Sequence, residues 1–171
     1  MIKKLSNRAR KIFLSPEKYA RHIGVKLGRN VILSGVSFGS EPYLISIGND
    51  VRITDGTKIF THGGARVLRK KHPNFDFFGK VTINNNVYIG NNCLIMPGVT
   101  IGSNVIVAAG SIVTKSVPDN VIVAGSPAKI VSSIEDFEAK MLSKNLNTKG
   151  MNYEDKKEYL LSLPDSSFII K

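Results

Sequence analysis

Three histidines and a single cysteine are the side chains of this 171-residue chain best suited to moving a proton or forming a covalent bond. His62 stands in Ile59-Phe60-Thr61-His62-Gly63-Gly64, at the seam between a regular repeat and an irregular segment. Imidazole ordinarily titrates at about pH 6.5, so a histidine turned outward there could take a proton from a hydroxyl or an amine at neutral pH. The same position also suits a surface histidine in a turn, and spacing alone leaves both readings open. His72, in His72-Pro73, is the rival base, but it lies inside the irregular segment. His22 falls near the end of a predicted helix and reads as structural. Cys93 occupies a position predicted to face inward among apolar neighbours, where a thiol is inert.

The element that must position His62 is a repeat of six. From Ile83 the blocks run INNNVY, IGNNCL, IMPGVT, IGSNVI, VAAGSI and VTKSVP. Their first residues are Ile83, Ile89, Ile95, Ile101, Val107 and Val113, and their fifth are Val87, Cys93, Val99, Val105, Ser111 and Val117. The same phase leads IGNDVR, ITDGTK and IFTHGG from Ile47, Ile53 and Ile59, and an echo from Leu27 (LGRNVI, LSGVSF) is out of phase by two. A helix has a period of about 3.6 and a half-buried strand a period of about 2, so neither gives this pattern. A short strand followed by a sharp turn does. The Gly and Asn residues of Gly48-Asn49, Gly90-Asn91-Asn92 and Gly102-Ser103-Asn104 are expected to supply the turn, because both tolerate positive φ. Three such units close a triangular coil, and the eleven blocks build about four coils whose first residues stack down an interior tube. The fold class expected is therefore mainly β, a parallel β-helix over residues 25–131.

Residues 65–82 keep the phase and lose the pattern. Their anchors would be Ala65, Lys71 and Phe77. A lysine inside an apolar tube is costly, so an extruded loop is predicted, basic at Arg66, Arg69, Lys70 and Lys71 and aromatic at Phe75, Phe77 and Phe78. Loops on rigid scaffolds concentrate binding chemistry.

After the hexads comes Ala108-Ala109-Gly110-Ser111-Ile112-Val113-Thr114-Lys115, then Val117-Pro118-Asp119-Asn120 and Val123-Ala124-Gly125-Ser126-Pro127-Ala128-Lys129. Small residues here would let a slender ligand lie against backbone amides, although each alone also suits close packing in a narrow coil. Pro118 and Pro127 would stiffen the last turns. Lys115 and Lys129 could face phosphates or simply stand in solvent.

The hexads together with this run resemble the hexapeptide-repeat acyltransferases, whose parallel β-helix is left-handed. The match is to the branch holding the maltose, nodulation and capsular polysaccharide O-acetyltransferases. The resemblance implies acetyl transfer from acetyl-CoA to a hydroxyl of a sugar or surface polysaccharide precursor. Thr61-His62 stands where the family has its general base before an extruded loop, and a backbone amide would hold the oxyanion. Coenzyme A would lie along Ala108, Ala109, Gly110, Ser111, Thr114, Lys115, Gly125, Pro127 and Lys129. Acceptor contacts would come from Tyr43, Asn85 and Tyr88. Glu41-Pro42-Tyr43-Leu44 is similar to a stretch in capsule and lipopolysaccharide O-acetyltransferases. Two departures bear on the acceptor: Gly63 follows the histidine where sugar transferases often have an acidic residue, and Tyr88 stands where many relatives have Trp. The family's active sites lie between subunits of a homotrimer. Alternatives are an N-acetyltransferase on an amino sugar, a γ-type carbonic anhydrase-like protein, which would need three histidines about zinc in a spacing that His22, His62 and His72 lack, and a non-catalytic β-helix protein. No metal is required by the first reading.

Net charge is +11, with 24 basic and 13 acidic residues, which suits an anionic cofactor or glycan. No helix-turn-helix, zinc spacing or RNA-module motif is present, so nucleic acid is not an expected partner. One cysteine excludes an intrachain disulfide and fits a cytoplasmic protein. Residues 2–14 form a basic amphipathic stripe that would cap the coil or lie on the inner face of an anionic membrane, the cap being the commoner use. Ser15-Pro16-Glu17 opens a short helix, and Ser133-Ile134-Glu135-Asp136 and Asn152-Tyr153-Glu154-Asp155 open two more in a C-terminal extension over 132–171.

Overall fold

The computed structural model describes residues 14–170. The expected helix over 2–14 falls outside them except for Leu14. The chain divides into two compact units between Ile134 and Glu135.

The first unit opens with helix α1 (Pro16–His22), which starts where Ser15 Oγ accepts from the Lys18 amide at 3.3 Å and Pro16 supplies a preset φ. Four coils follow. The first is β1 (Lys26–Leu27), β2 (Ile32–Leu33) and β3 (Ser37–Phe38); the second is β4 (Ile45–Ile47), β5 (Val51–Ile53) and β6 (Lys58–Ile59). The third is β7 (Val81–Ile83), β8 (Val87–Ile89) and β9 (Leu94–Ile95); the fourth is β10 (Thr100–Ile101), β11 (Val105–Val107) and β12 (Ile112–Val113). Like strands of successive coils pair in parallel and make three faces, β1-β4-β7-β10, β2-β5-β8-β11 and β3-β6-β9-β12. Ile83 pairs with Ile101, Ile89 with Val107 and Ile95 with Val113, a coil of eighteen residues or three hexads. A last parallel strand, β13 (Val121–Gly125), extends the second face, and β14 (Ala128–Ser133) turns back on it antiparallel, so the coil ends in a hairpin.

The hexad anchors are the core. Ile53, Ile83, Ile89, Ile95, Ile101 and Val107 are all 0% exposed, and the fifth-position residues Val87, Cys93, Val99, Val105 and Ser111 are buried beneath them. Burying one such isoleucine is worth about 1.5–3 kcal/mol, and the stack has no gap between coils.

The turns are built differently from the expectation. The glycines at the second hexad position are not left-handed. Gly48 is there because a Cβ would stand 2.7 Å from the Asn84 carbonyl oxygen of the next coil. Positive φ falls instead at the fourth position, in seven of the nine in-phase hexads: Asp50, Gly56, Asn86, Asn92, Gly98, Asn104 and Gly110. Between the first and second faces this corner is an amide ladder. Asn30 Nδ2 donates to Asp50 Oδ1, Asn86 Nδ2 to Asn104 Oδ1, and Asn104 Nδ2 to Asn120 Oδ1, each at 2.8 Å. Asn pairs tolerance of the left-handed region with a side chain that can bridge coils.

Two irregularities shape the site. Ile47 pairs directly with Ile83, thirty-six residues on, so the segment after His62 adds a coil's length of chain without adding a coil. Of its three nominal anchors only Ala65 is buried; Lys71 and Phe77 are exposed, as the extruded loop requires. In the first coil, Leu33 and Phe38 stand one residue closer than a hexad, and Phe38 and Ile47 three residues farther apart, which explains the phase shift of two. The three extra residues push out a corner ending in a 3-10 turn, Pro42–Leu44.

Helix α1 closes the open end. Glu17 Oε1 accepts from the Leu33 amide at 3.0 Å, and Arg21 Nη1 and Nη2 donate to the carbonyls of Leu27 and Gly28 at 2.6 and 2.8 Å. These are edge groups that an uncovered coil would leave unpaired.

The second unit holds α2 (Ile134–Leu142), whose first residue belongs to the coil unit, and α3 (Tyr153–Ser162). Both begin where the sequence predicts. Asn152 Oδ1 caps α3 by accepting from the Asp155 amide at 2.9 Å. Among the described residues, no helix is long and apolar enough to cross a membrane.

Candidate active site

The extra residues of the first coil bring an acid to His62. Phe38 pairs with Ile59, so the corner that follows β3 lies against the corner that follows β6. There Glu41 Oε2 accepts from His62 Nδ1 at 2.9 Å and from Thr61 Oγ1 at 2.9 Å. An ionised carboxylate can only accept, so the proton of a neutral His62 resides on Nδ1 and Nε2 keeps its lone pair. Burial works against the Glu41 charge, but the hydrogen bonds from His62 and Thr61 and the positive charge His62 can carry hold its carboxyl below the ordinary 4.5. Thr61 is fully buried. The His62 side chain is 40% exposed and that of Glu41 16%, so the imidazole meets solvent while its partner is covered.

His62 also occupies the fourth position of its hexad, and it is not left-handed. At this corner the chain leaves the coil instead of turning. The loop returns through an antiparallel bridge between His62 and Phe78 and through the Gly79 amide, which donates to the Thr61 carbonyl at 2.8 Å. The Phe78 ring stands edge-on to the imidazole, with centroids 6.4 Å apart and planes at 66°. The tip of the Phe77 ring reaches Gly63 and leaves no room for a Cβ there. Arg69 braces the loop from within by donating to the Phe75 carbonyl at 3.0 Å and pairing with Asp76 at 3.2 Å. Between loop and coil is a cavity of about 300 Å³, walled by Glu41, His62, Arg66, Arg69, Asp76 and Phe78, with Ser40 and the Gly63–Ala65 backbone completing it. His72 lines a separate hollow with Leu68, Pro73, Asn74 and Phe75 and shares no wall with the first. His22 ends α1. Among the described residues no three His, Cys, Asp or Glu side chains converge as a metal site.

A coil of hexads, an outward histidine locked by an acid and an adjoining cavity now have relatives to be set beside. Residues 80–115 match the family "Bacterial transferase hexapeptide (six repeats)". Protein CapG of Staphylococcus aureus is 52% identical over 165 residues, covering 94% of this chain and 95% of that protein. The galactoside O-acetyltransferase of Escherichia coli K12 is 36% identical over 123 residues; the match takes in 71% of this chain and 60% of that enzyme. A solved galactoside acetyltransferase in complex with coenzyme A superposes with a TM-score of 0.55 at 30% identity, covering 72% of each chain. The chain belongs to the hexapeptide-repeat acetyltransferases. The parallel coil read from the hexads, and the left-handed sense and enzyme class that the resemblance implied, agree with this family.

Within the acetyltransferase, the residues expected at coenzyme A fall in three places. Ala108, Ala109 and Gly110 turn the corner between the second and third faces. Ala109 and Gly110 are exposed, and nothing lies within 4 Å of where a Gly110 Cβ would be, so this corner has the room a slender pantetheine arm needs. Thr114 and Lys115 stand exposed on the corner that carries His62, two coils on, roughly 10 Å along the axis at the ~4.8 Å strand spacing. Gly125, Pro127 and Lys129 are exposed in the closing hairpin. Ser111 is a correction. As a fifth-position residue it is 0% exposed, its Oγ donating to the Ala108 carbonyl at 2.6 Å and accepting from the Gly125 amide at 3.3 Å. It shapes the corner and cannot touch a ligand with its side chain.

The acceptor residues are not gathered at His62 within one chain. Asn85 stands on the amide-ladder corner, its Oδ1 accepting from the Asn49 amide and side chain at 2.9 and 3.1 Å. Tyr88 projects from the second face and Tyr43 from the 3-10 turn, 44% and 62% exposed. None of the three lines the cavity. Cys93 is buried, with Sγ 3.2 Å from the Ala108 carbonyl, and burial pushes its thiol up against the pull of the Ser111 and Gly110 amides. It is no nucleophile. The residue that sequence reading missed is Glu41. An acid was sought at position 63, beside the histidine in sequence, whereas the partner comes from the preceding coil. Its signal was the broken phase between the Leu27 and Ile47 hexads.

Proposed function

We propose that this acetyltransferase moves an acetyl group from acetyl-CoA to a hydroxyl of a sugar, as part of polysaccharide building, with His62 as the general base. The observation that carries the reading is the Glu41–His62 pair at 2.9 Å beside a cavity large enough for a sugar ring. With Nδ1–H committed to Glu41, Nε2 accepts the hydroxyl proton as the oxygen attacks. The imidazolium that forms is stabilised by the carboxylate at Nδ1 and then gives its proton to the departing thiolate. Acetyl-CoA supplies the acyl group as a thioester. Ala108–Gly110, Thr114, Lys115, Gly125, Pro127 and Lys129 would hold it, the lysines facing its phosphates. In one chain those residues span two corners of the prism and only one of the corners carries His62. A cosubstrate lying between corners of adjacent copies would use both, which favours a homotrimer with shared sites, Tyr43, Asn85 and Tyr88 reaching the acceptor across the same seam. We place its action in the cytoplasm, where the single thiol stays reduced.

The test is thiol release from acetyl-CoA over a panel of neutral sugars, uronic acids and amino sugars, with product position read by NMR. Transfer to a sugar oxygen that His62→Ala abolishes while coenzyme A binding persists is the expected result. Transfer only to amines would replace the hydroxyl reading, and transfer unchanged in His62→Ala would remove the base.

A further inference from the structure

We infer that the acceptor carries an anionic group, of the kind a uronic acid presents, and that Arg66 is the residue that selects it. This rests on the acetyl-transfer reading of the His62 cavity and adds the chemistry of what enters it. The cavity wall holds five ionisable side chains. Glu41 is matched by His62 and Asp76 by Arg69. Arg66 is left over: its side chain makes no hydrogen bond or ion pair among the described residues, and only its backbone is engaged, its carbonyl accepting from the Arg69 amide at 3.2 Å. With His62 neutral the wall's charges balance, Glu41 and Asp76 against Arg66 and Arg69, and Arg66 is the one charged group whose side chain is left open to whatever enters the cavity.

The position of that charge is set by the fold. Arg66 lies in the 3-10 turn Ala65–Val67, the first structure the loop forms after His62. Ala65 beside it is 3% exposed and anchors the turn to the coil. Arg66 therefore stands on an anchored stretch of the loop, within the cavity of about 300 Å³ that also holds the base. Ligand pockets begin at about this size, so it fits a single sugar ring with its exocyclic group. A ring whose hydroxyl meets His62 can turn its carboxylate to the guanidinium. Planar guanidinium and carboxylate match in a two-pronged geometry that a hydroxymethyl group cannot give. The alternative anion, a coenzyme A phosphate, is served by Lys115 on the fourth coil and Lys129 in the hairpin, neither of which lines this cavity.

The experiment compares kcat/KM for the methyl glycosides of glucuronate and glucose, and of galacturonate and galactose, with acetyl-CoA, in wild type, Arg66→Ala, Arg66→Lys and Lys149→Ala. A charge-assisted hydrogen bond predicts a wild-type preference for the uronates of about 10- to 100-fold. Arg66→Ala brings the ratio close to one, Arg66→Lys leaves part of it, and Lys149→Ala, in the segment between the two C-terminal helices, leaves it whole. Activity on neutral glycosides equal to that on uronates, with the ratio unmoved by Arg66→Ala, overturns the inference and leaves acetyl transfer standing. A rise in KM for acetyl-CoA in Arg66→Ala, with the ratio intact, assigns the cation to a phosphate instead and also overturns it. Absence of transfer to all four glycosides overturns the inference together with the reading beneath it.

Discussion

Replacing Glu41 tests the site most directly, because it separates a base from a base that is held. His62→Ala removes proton transfer itself, a loss of about 10²–10⁴ in kcat, or about 3–5 kcal/mol of transition-state stabilisation. Glu41 is hydrogen-bonded to His62 Nδ1, Thr61 and Ser40 and stands on the far side of the imidazole from Nε2. Partners that orient a functional imidazole typically cost about 10- to 100-fold when removed, and Glu41→Ala is expected in that range. Glu41→Gln can still place an oxygen opposite Nδ1–H and Thr61 Oγ, so it preserves the tautomer and loses only the charge that steadies the imidazolium. Its loss should fall nearer tenfold. In a His62→Ala background, Glu41→Ala should cost nothing further, since a positioning residue has nothing left to position. The assay is initial-rate thiol release with acetyl-CoA and the best acceptor saturating, with thermal unfolding of each variant run alongside. KM for acetyl-CoA should stay where it is in both Glu41 variants. Equal losses in Glu41→Ala and Glu41→Gln, or a further drop in the double variant, would refute the claim that Glu41 acts through His62.

Three further outcomes follow from the coil. Asn104→Ala removes two ladder bonds and places a Cβ residue without local compensation at φ 55°, so it should lower stability by about 2–3 kcal/mol, while Asn104→Gly, which relieves the backbone, should lose less; denaturant unfolding orders the two. Gly48→Ala sets a Cβ 2.7 Å from a backbone oxygen of the next coil, with no flexible side chain to yield, and should cost about 1–3 kcal/mol by the same measurement although Ala is ordinarily the better residue. The folded Glu41 carboxyl titrates below its ordinary 4.5, so the stability it adds is present above that pH and is lost as the pH falls through the folded value. The difference in melting temperature between wild type and Glu41→Gln should therefore shrink as the pH falls below about 4.5, and a difference that stays constant as the pH falls would contradict the pairing.

The sequence by itself determined the coil. A β-branched anchor every six residues can be buried in only one way, and Ile83, Ile89, Ile95 and Ile101 are all fully buried where the period puts them. It determined the extruded loop as well, because Lys71 at an anchor position cannot enter the tube, and it singled out His62 by placing it where the repeat stops. Tertiary structure decided what surrounds that histidine. Glu41 and His62 are twenty-one residues apart and meet only because Phe38 pairs with Ile59, a register that depends on a hexad one residue short followed by one three residues long. The turn chemistry was legible as composition and not as conformation: Gly at the second position serves close approach and the fourth position carries the positive φ, a distinction set by the distance between coils. Ser111 Oγ is held within the core and Asn85 Oδ1 accepts from Asn49, because which partners a polar side chain finds depends on the coil above and below it. A period fixes which residues point inward; only the stacking of one coil on the next fixes which outward residues become neighbours, and Glu41 and His62 are such neighbours.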